Sequence, residues 1–308
     1  SLYEFMADIT TKSTDLKLDA GQGQVVAVRA QVIRDRHIVK LGKIAAIKIG
    51  LQSGGNTRFY RVAAGVTGGA AAGGYHEVPK HQIVANDSLN HLTADEKAGG
   101  IEVDDPSTDR FYVPLDKAGL SDIGNGLLAE YWRPVEFYVD WSRSAVDEMK
   151  SLKGARFQNS ASYFEKGISF SNTGIYSPTY RLGHGGVFDQ TGSSIFCDVI
   201  PRRALLGILS SKLLRYLIKS FINHGVHAQI DDLPIVIPTD AQAKDITSIV
   251  DEIIEGQMAS LAFDYRPLAS QLDDLIDDLY ALTEPERAEI RSWHRRHYPK
   301  LHNIPIDD

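Results

Sequence analysis

Pro201-Arg202-Arg203-Ala204-Leu205-Leu206-Gly207-Ile208-Leu209-Ser210-Ser211-Lys212-Leu213-Leu214-Arg215-Tyr216-Leu217-Ile218-Lys219-Ser220-Phe221 is where the chain changes period. Leu205, Leu206, Ile208, Leu209, Leu213, Leu214, Leu217, Ile218 and Phe221 recur at helical spacing and predict one long helix with a broad apolar stripe. Helical patterns continue downstream. Ile246, Ile249, Val250, Ile253, Ile254, Met258 and Leu261 mark a second helix, and Leu272, Leu275, Ile276, Leu279 and Tyr280 a third. Thr283-Glu284-Pro285-Glu286 reads as a capping box that opens a last helix to about His294, with Thr283 as N-cap and Glu286 reaching back. Leu233-Pro234-Ile235-Val236-Ile237-Pro238 reads as the loop between the first two.

Upstream of Pro201 the period is that of strands. Gln24 to Val32 is an apolar run with strand character, and Val39 to Gly50 alternates imperfectly. It ends in Gln52-Ser53-Gly54-Gly55-Asn56, a turn that needs positive φ. Strands are expected at Arg58–Val62, Val135–Val139, Gly167–Ser171, Tyr176–Arg181 and Gly186–Asp189, with a short helix over Ser144–Ser151. Residues 65–74, rich in glycine and alanine, read as a loop, and 86–130 as irregular structure. The expected class is α+β: a β-rich domain of short, mostly antiparallel strands over 1–200, then a helical domain over 201–308.

Composition narrows the function. Hydrophobic residues at 43% and charged ones at 24% exclude a disordered chain. The single cysteine, Cys197, excludes an internal disulfide framework and makes a reducing cytoplasm the default compartment. No run of 18 apolar residues suggests a membrane span, and no leader pattern opens the chain. It starts at Ser1 without a methionine, as a fragment of a longer protein would and as a chain with a processed tag would too. The net charge of −7 is unevenly spread. Residues 1–140 carry 15 basic and 18 acidic side chains, 141–220 carry 11 and 5, and 221–308 carry 7 and 17. A positive middle between acidic flanks suits a face that tracks a polyanion.

Several chemistries lack their motifs. There is no Gly-x-Gly-x-x-Gly after a strand and no phosphate-binding loop; Gly68, Gly69, Gly73 and Gly74 have no helix behind them. There is no Asn/Asp-Pro-Pro-Tyr/Phe tetrapeptide to hold a flipped adenine, since Asp105-Pro106 continues into Ser107-Thr108. His224-Gly225-Val226-His227 offers two histidines three apart with no third ligand, a weak zinc pattern.

Five phrases in order then resemble one family. The first is Lys40-Leu41-Gly42-Lys43-Ile44-Ala45, followed by Gly50-Leu51-Gln52-Ser53-Gly54-Gly55-Asn56-Thr57-Arg58-Phe59. Next come Phe137-Tyr138-Val139-Asp140-Trp141 and Arg156-Phe157-Gln158-Asn159, the latter continuing at Tyr163-Phe164-Glu165-Lys166-Gly167-Ile168-Ser169-Phe170-Ser171. Leu206 to Leu217 with Asp232-Leu233-Pro234-Ile235 comes fourth, and Leu275 to Glu286 fifth. Together they resemble the C-terminal target-recognition region of large bacterial N6-adenine DNA methyltransferases, the type IIG restriction–modification enzymes and the BREX phage-defence methyltransferases. The chain departs from the family pattern at Phe170, where tryptophan is usual, at Ser53 for threonine, and in the glycine-rich insertion at 65–74.

The resemblance implies sequence-specific binding of double-stranded DNA, with no catalytic residue, metal or cofactor in this chain. S-adenosylmethionine would belong to a methyltransferase domain N-terminal to it in the same parent protein, with or without an endonuclease. Phosphates call for cations and base edges for planar side chains: arginine for guanine, asparagine or glutamine for adenine. Arg143, Lys150, Lys153 and Lys166 suit phosphates; Arg156, Gln158, Asn159 and Arg181 suit bases; Tyr163 or Tyr180 suits the sugar or backbone, although Tyr163, with Phe164 and Phe170, also fits a core aromatic. Arg58 and Arg61 would add a clamp, and His224, His227 and Gln229 would line a cleft. Two alternatives stay open. One is a free-standing specificity subunit of a type I restriction system, which usually shows an internal repeat that this chain lacks. The other is a hydrolase or carbohydrate-binding module using His184 and Asp189.

Overall fold

A computed structural model of the chain describes residues 38–66, 73–118, 122–171, 176, 178–221 and 230–302. The strand expected at Gln24–Val32 and most of the glycine-rich loop lie outside them, as do His224, His227 and Gln229. The strands are β1 (Ile38–Lys40), β2 (Ala45–Lys48), β3 (Leu51–Gln52), β4 (Tyr60–Val62), β5 (His76–Glu77), β6 (Tyr112–Asp116), β7 (Asp122–Gly124) and β8 (Leu127–Leu128). They continue as β9 (Phe137–Asp140), β10 (Arg156–Phe157), β11 (Ile168–Ser171), β12 (Thr179–Leu182), β13 (Val187–Phe188), β14 (Ser194–Cys197) and β15 (Pro234–Val236). The α-helices longer than four residues are α1 (Ala94–Gly99), α2 (Arg143–Ser151), α3 (Arg202–Ser210), α4 (Lys212–Phe221), α5 (Asp240–Ala259), α6 (Arg266–Leu279) and α7 (Glu284–His297). The class is α+β, with helices and several small, mostly antiparallel sheets. Among the described residues no helix is long and apolar enough to cross a membrane.

The chain forms two compact units, neither continuous in sequence. One is β-rich and takes residues 47–121 and 132–196; the other takes those up to 46 together with 122–131 and 197 onwards. The helical period thus begins close to one division, but short upstream pieces join the helical unit through bonds that no local pattern announces. β1 pairs antiparallel with β15, Ile38 opposite Val236 and Lys40 opposite Pro234, so part of the expected loop at 233–238 is a strand. The Tyr265 hydroxyl accepts from the Leu128 N–H and donates to the Leu128 carbonyl, each at 2.9 Å. The Gln257 amide donates to the Glu130 carbonyl at 3.1 Å, and Glu130 itself forms a buried ion pair with Arg215.

In place of one long helix over 205–221 there are two, α3 and α4, divided at Ser211. Ser211 takes an extended conformation (φ −66°, ψ 154°) that stops the first helix. Its hydroxyl donates to the Ile208 carbonyl at 2.8 Å and accepts from the Leu214 N–H at 3.3 Å, so it caps both. The apolar stripe survives the break, because Leu205, Leu206, Ile208, Leu209, Leu213, Leu214, Leu217 and Ile218 are all buried. The capping box at Thr283 is present, Glu286 accepting from the Thr283 N–H at 2.8 Å, and α7 runs on to His297.

In the β-rich unit a five-stranded sheet has the order β13-β6-β9-β4-β5, and β11 pairs antiparallel with both β12 and β14. Trp141, Tyr60, Val113, Val139 and Phe188 are among the core residues of this unit. The stretch expected to be irregular, 86–130, contains β6, whose five residues are all buried. Pro114 at its centre demotes a strand reading, since proline cannot donate to a ladder. Here it is tolerated because β13 pairs only with Leu115 and Asp116, beyond it. Asn56–Phe59 forms a helical turn, so the strand expected from Arg58 starts at Tyr60. The short helix expected near Ser144 is α2, capped by the Ser142 hydroxyl on the Ala145 N–H.

Candidate nucleic-acid interface

The candidate interface is built on a two-stranded ribbon in the β-rich unit. β3 and β10 pair antiparallel, Gln52 opposite Arg156 and Leu51 opposite Phe157. Alternation along a strand puts opposed residues on one face. Leu51 is buried and Phe157 half-buried, with its ring 6.2 Å from that of Trp141. Gln52 and Arg156 are therefore the outward pair, and both are exposed. The chain enters β3 over Phe188, where a side chain on Gly50 would lie 1.8 Å from the Phe188 carbonyl oxygen. It leaves through Ser53–Asn56, where the Ser53 hydroxyl accepts from the Gly55 N–H at 3.2 Å and donates to Asn56 Oδ1 at 2.7 Å. Gly54 takes the positive φ (74°) that the sequence required of this turn. Opposite stands the turn that leads into β10, and a β-carbon on Gly154 would meet the Gly54 α-carbon at 3.7 Å. The tip of the ribbon is two glycines face to face.

Beside this tip stand exposed Arg58, Lys150, Lys153 and Arg156, and exposed Gln158 follows at the other end of β10. The first and third resemblance phrases, remote in the chain, meet here. Arg58 pairs with Glu148 yet keeps 65% of its side chain in solvent. Lys150 donates to the Ala98 carbonyl at 3.3 Å and lies over the Phe157 ring. Arg156 Nη1 donates to the carbonyls of Lys153 at 3.0 Å and Ala155 at 2.7 Å.

Most of the other expected contacts are bonded or packed within the protein. Asn159, in the left-handed region (φ 52°), donates from Nδ2 to the Ile49 carbonyl at 2.9 Å and fixes its turn. Arg61 is half-buried, donates to the carbonyls of Arg58 and Tyr60, and lies over the Tyr112 ring. Arg143 is held between Asp95 and Glu102, which neutralise it. Lys166 is exposed in the turn before β11. Tyr163, read also as a core aromatic, and Tyr180, expected on the sugar or backbone, are both core residues: Tyr163 sits edge-on to Trp141 and Phe188, and Tyr180 packs with Phe170. Arg181, expected at a base edge, is also buried and donates to the Lys117 carbonyl at 2.8 Å. Sequence reading passed over Gln52, because a strand of two residues is too short to reveal its outward face.

A second polar cluster lies in the same unit. Asp116 accepts from His184 Nδ1 at 2.5 Å and from its backbone N–H at 3.0 Å, while His184 Nε2 donates to the Arg133 carbonyl at 3.0 Å. Burial alone would push the imidazole down and the carboxyl up, but the pair's mutual attraction and hydrogen bonds more than offset it. His184 is held above its ordinary value and Asp116 below. Asp189 Oδ1 accepts from the N–H groups of Thr191 and Gly192 at 2.7 and 2.8 Å, and its Oδ2 faces Lys117 at 3.1 Å. With both ring nitrogens donating and Asp189 saturated, neither residue is poised as a hydrolytic base. Among the described residues no group of three or more His, Cys, Asp or Glu could hold a metal ion. No family model matches the chain, and no curated protein matches it.

Proposed function

We propose that this chain recognises a sequence in double-stranded DNA, as the target-recognition region of an adenine-specific methyltransferase of restriction–modification or phage-defence type. It would act in the cytoplasm beside the methyltransferase domain of its parent protein, which would carry the S-adenosylmethionine. The observation that carries the reading is the ribbon: a glycine tip and an exposed arginine–glutamine pair beside the exposed cations Arg58, Lys150 and Lys153. The cations suit phosphates, and the planar side chains suit base edges.

The test is a salt titration of the 308-residue chain on a mixed-sequence duplex, followed by fluorescence anisotropy. Affinity should fall steeply with salt, and Lys153→Ala should lower the slope of log K against log salt by about one, one phosphate neutralised fewer. Absence of binding at low salt, or affinity indifferent to salt, refutes the proposal.

A further inference from the structure

Arg156 and Gln52 are paired across the ribbon on its outward face, and their surroundings prepare them for different work from that of the nearby lysines. A two-stranded antiparallel ribbon is one of the few elements that fit the major groove of B-form DNA. This one has its inner face anchored on Trp141, and Gly54 and Gly154 face each other at its tip. Both Nη1 protons of Arg156 are already given to the carbonyls of Lys153 and Ala155. That fixes the guanidinium plane and leaves the Nε–Nη2 edge, which makes no hydrogen bond among the described residues. A fixed planar fork with two parallel donors matches O6 and N7 of guanine, where a lysine offers only a point charge. Gln52, directly opposite, is exposed, and its amide likewise makes no hydrogen bond among the described residues. An amide has the donor and acceptor that adenine N7 and N6 require. Residues opposed on one face of such a ribbon stand about 5 Å apart at Cβ, within reach of two successive base pairs.

We infer that Arg156 and Gln52 are specificity-determining residues that read a guanine and a neighbouring adenine in the major groove. The inference rests on the DNA-recognition reading above and can fail separately from it.

The experiment selects duplexes from a randomised library with the full chain, then repeats the selection with Arg156→Ala and Gln52→Ala. The wild-type motif should hold a guanine beside an adenine. Arg156→Ala should lose the guanine column, Gln52→Ala the adenine column, and each should keep the rest. Replacing that guanine by 7-deazaguanine, which removes N7, should weaken the wild type about tenfold to a hundredfold and leave Arg156→Ala unaffected. This arm alters only the DNA, so misfolding of a variant cannot imitate it. Salt-sensitive binding with no base preference, a motif that survives both substitutions, or indifference to 7-deazaguanine overturns the assignment and leaves DNA binding standing. No binding at all overturns both.

Discussion

A β-carbon at position 54 would lie 3.1 Å from the Ala155 nitrogen and 3.2 Å from the Leu152 β-carbon, on backbone at φ +74°. Gly54→Ala should therefore destabilise the β-rich unit by about 1–3 kcal/mol, read as a lower thermal midpoint, and, on the proposed function, weaken DNA binding by displacing the ribbon's tip. At the His184–Asp116 pair the expectation concerns pH. The raised imidazole contributes stability that is full below its ordinary 6.5 and is lost as pH climbs through the higher folded value. The lowered carboxyl contributes above its ordinary 3.8 and is lost as pH falls through the lower folded value. Denaturant unfolding should thus give a plateau between those limits. His184→Ala should cost about 3–5 kcal/mol on it by leaving a buried carboxylate uncompensated, and should remove the decline on the alkaline side. A wild-type profile flat through neutral pH would contradict this. Sequence could name the arginines and amides of the proposed recognition stretch but not sort them. Arg156 is exposed while Arg181, of the same chemistry, is buried beneath Lys117, and only the fold distinguishes them.

Elements declare themselves in sequence when their period is long, and fail to when it is short. α5, α6 and α7 were legible from repeated apolar positions and a capping box, whereas β6 hid behind a proline and β14 behind a four-residue length. The division of α3 from α4 was illegible for another reason. Ser211 keeps the apolar spacing on both sides, so the stripe reads straight through a break made by one backbone angle and one hydroxyl. Within α3, Gly207 lies close against α5 and α6. A β-carbon there would lie 2.7 Å from Ile246 Cγ2 and 2.9 Å from Val250 Cγ2. Gly207→Ala would add about 1 kcal/mol of helix propensity but force α3 from α5 at a cost of about 1–3 kcal/mol. The expected result is a net loss of stability in thermal unfolding, and a gain would mean that the helices separate without strain.

For the whole molecule, sequence conveyed the α+β class but not how the chain is apportioned. The segment 122–131 has no pattern of its own and draws its place from Arg215, Gln257 and Tyr265, whose partnership with it is decided by geometry alone. A fragment of residues 197–308 should accordingly lack a cooperative transition in near-ultraviolet circular dichroism, because it holds Arg215 without Glu130 and β15 without β1. Sharp two-state melting of that fragment would show that these pieces are dispensable. The same arrangement sets a timetable during synthesis. Leu128 leaves the ribosome 137 residues ahead of the tyrosine that binds both its backbone groups. At about 5–20 residues per second that interval is roughly 7–27 s, far longer than a small unit needs to fold. Every residue of the β-rich unit has been translated by position 196. That unit can close while Glu130 is still hydrated, and the helical unit must wait for α6 before it can take the segment in.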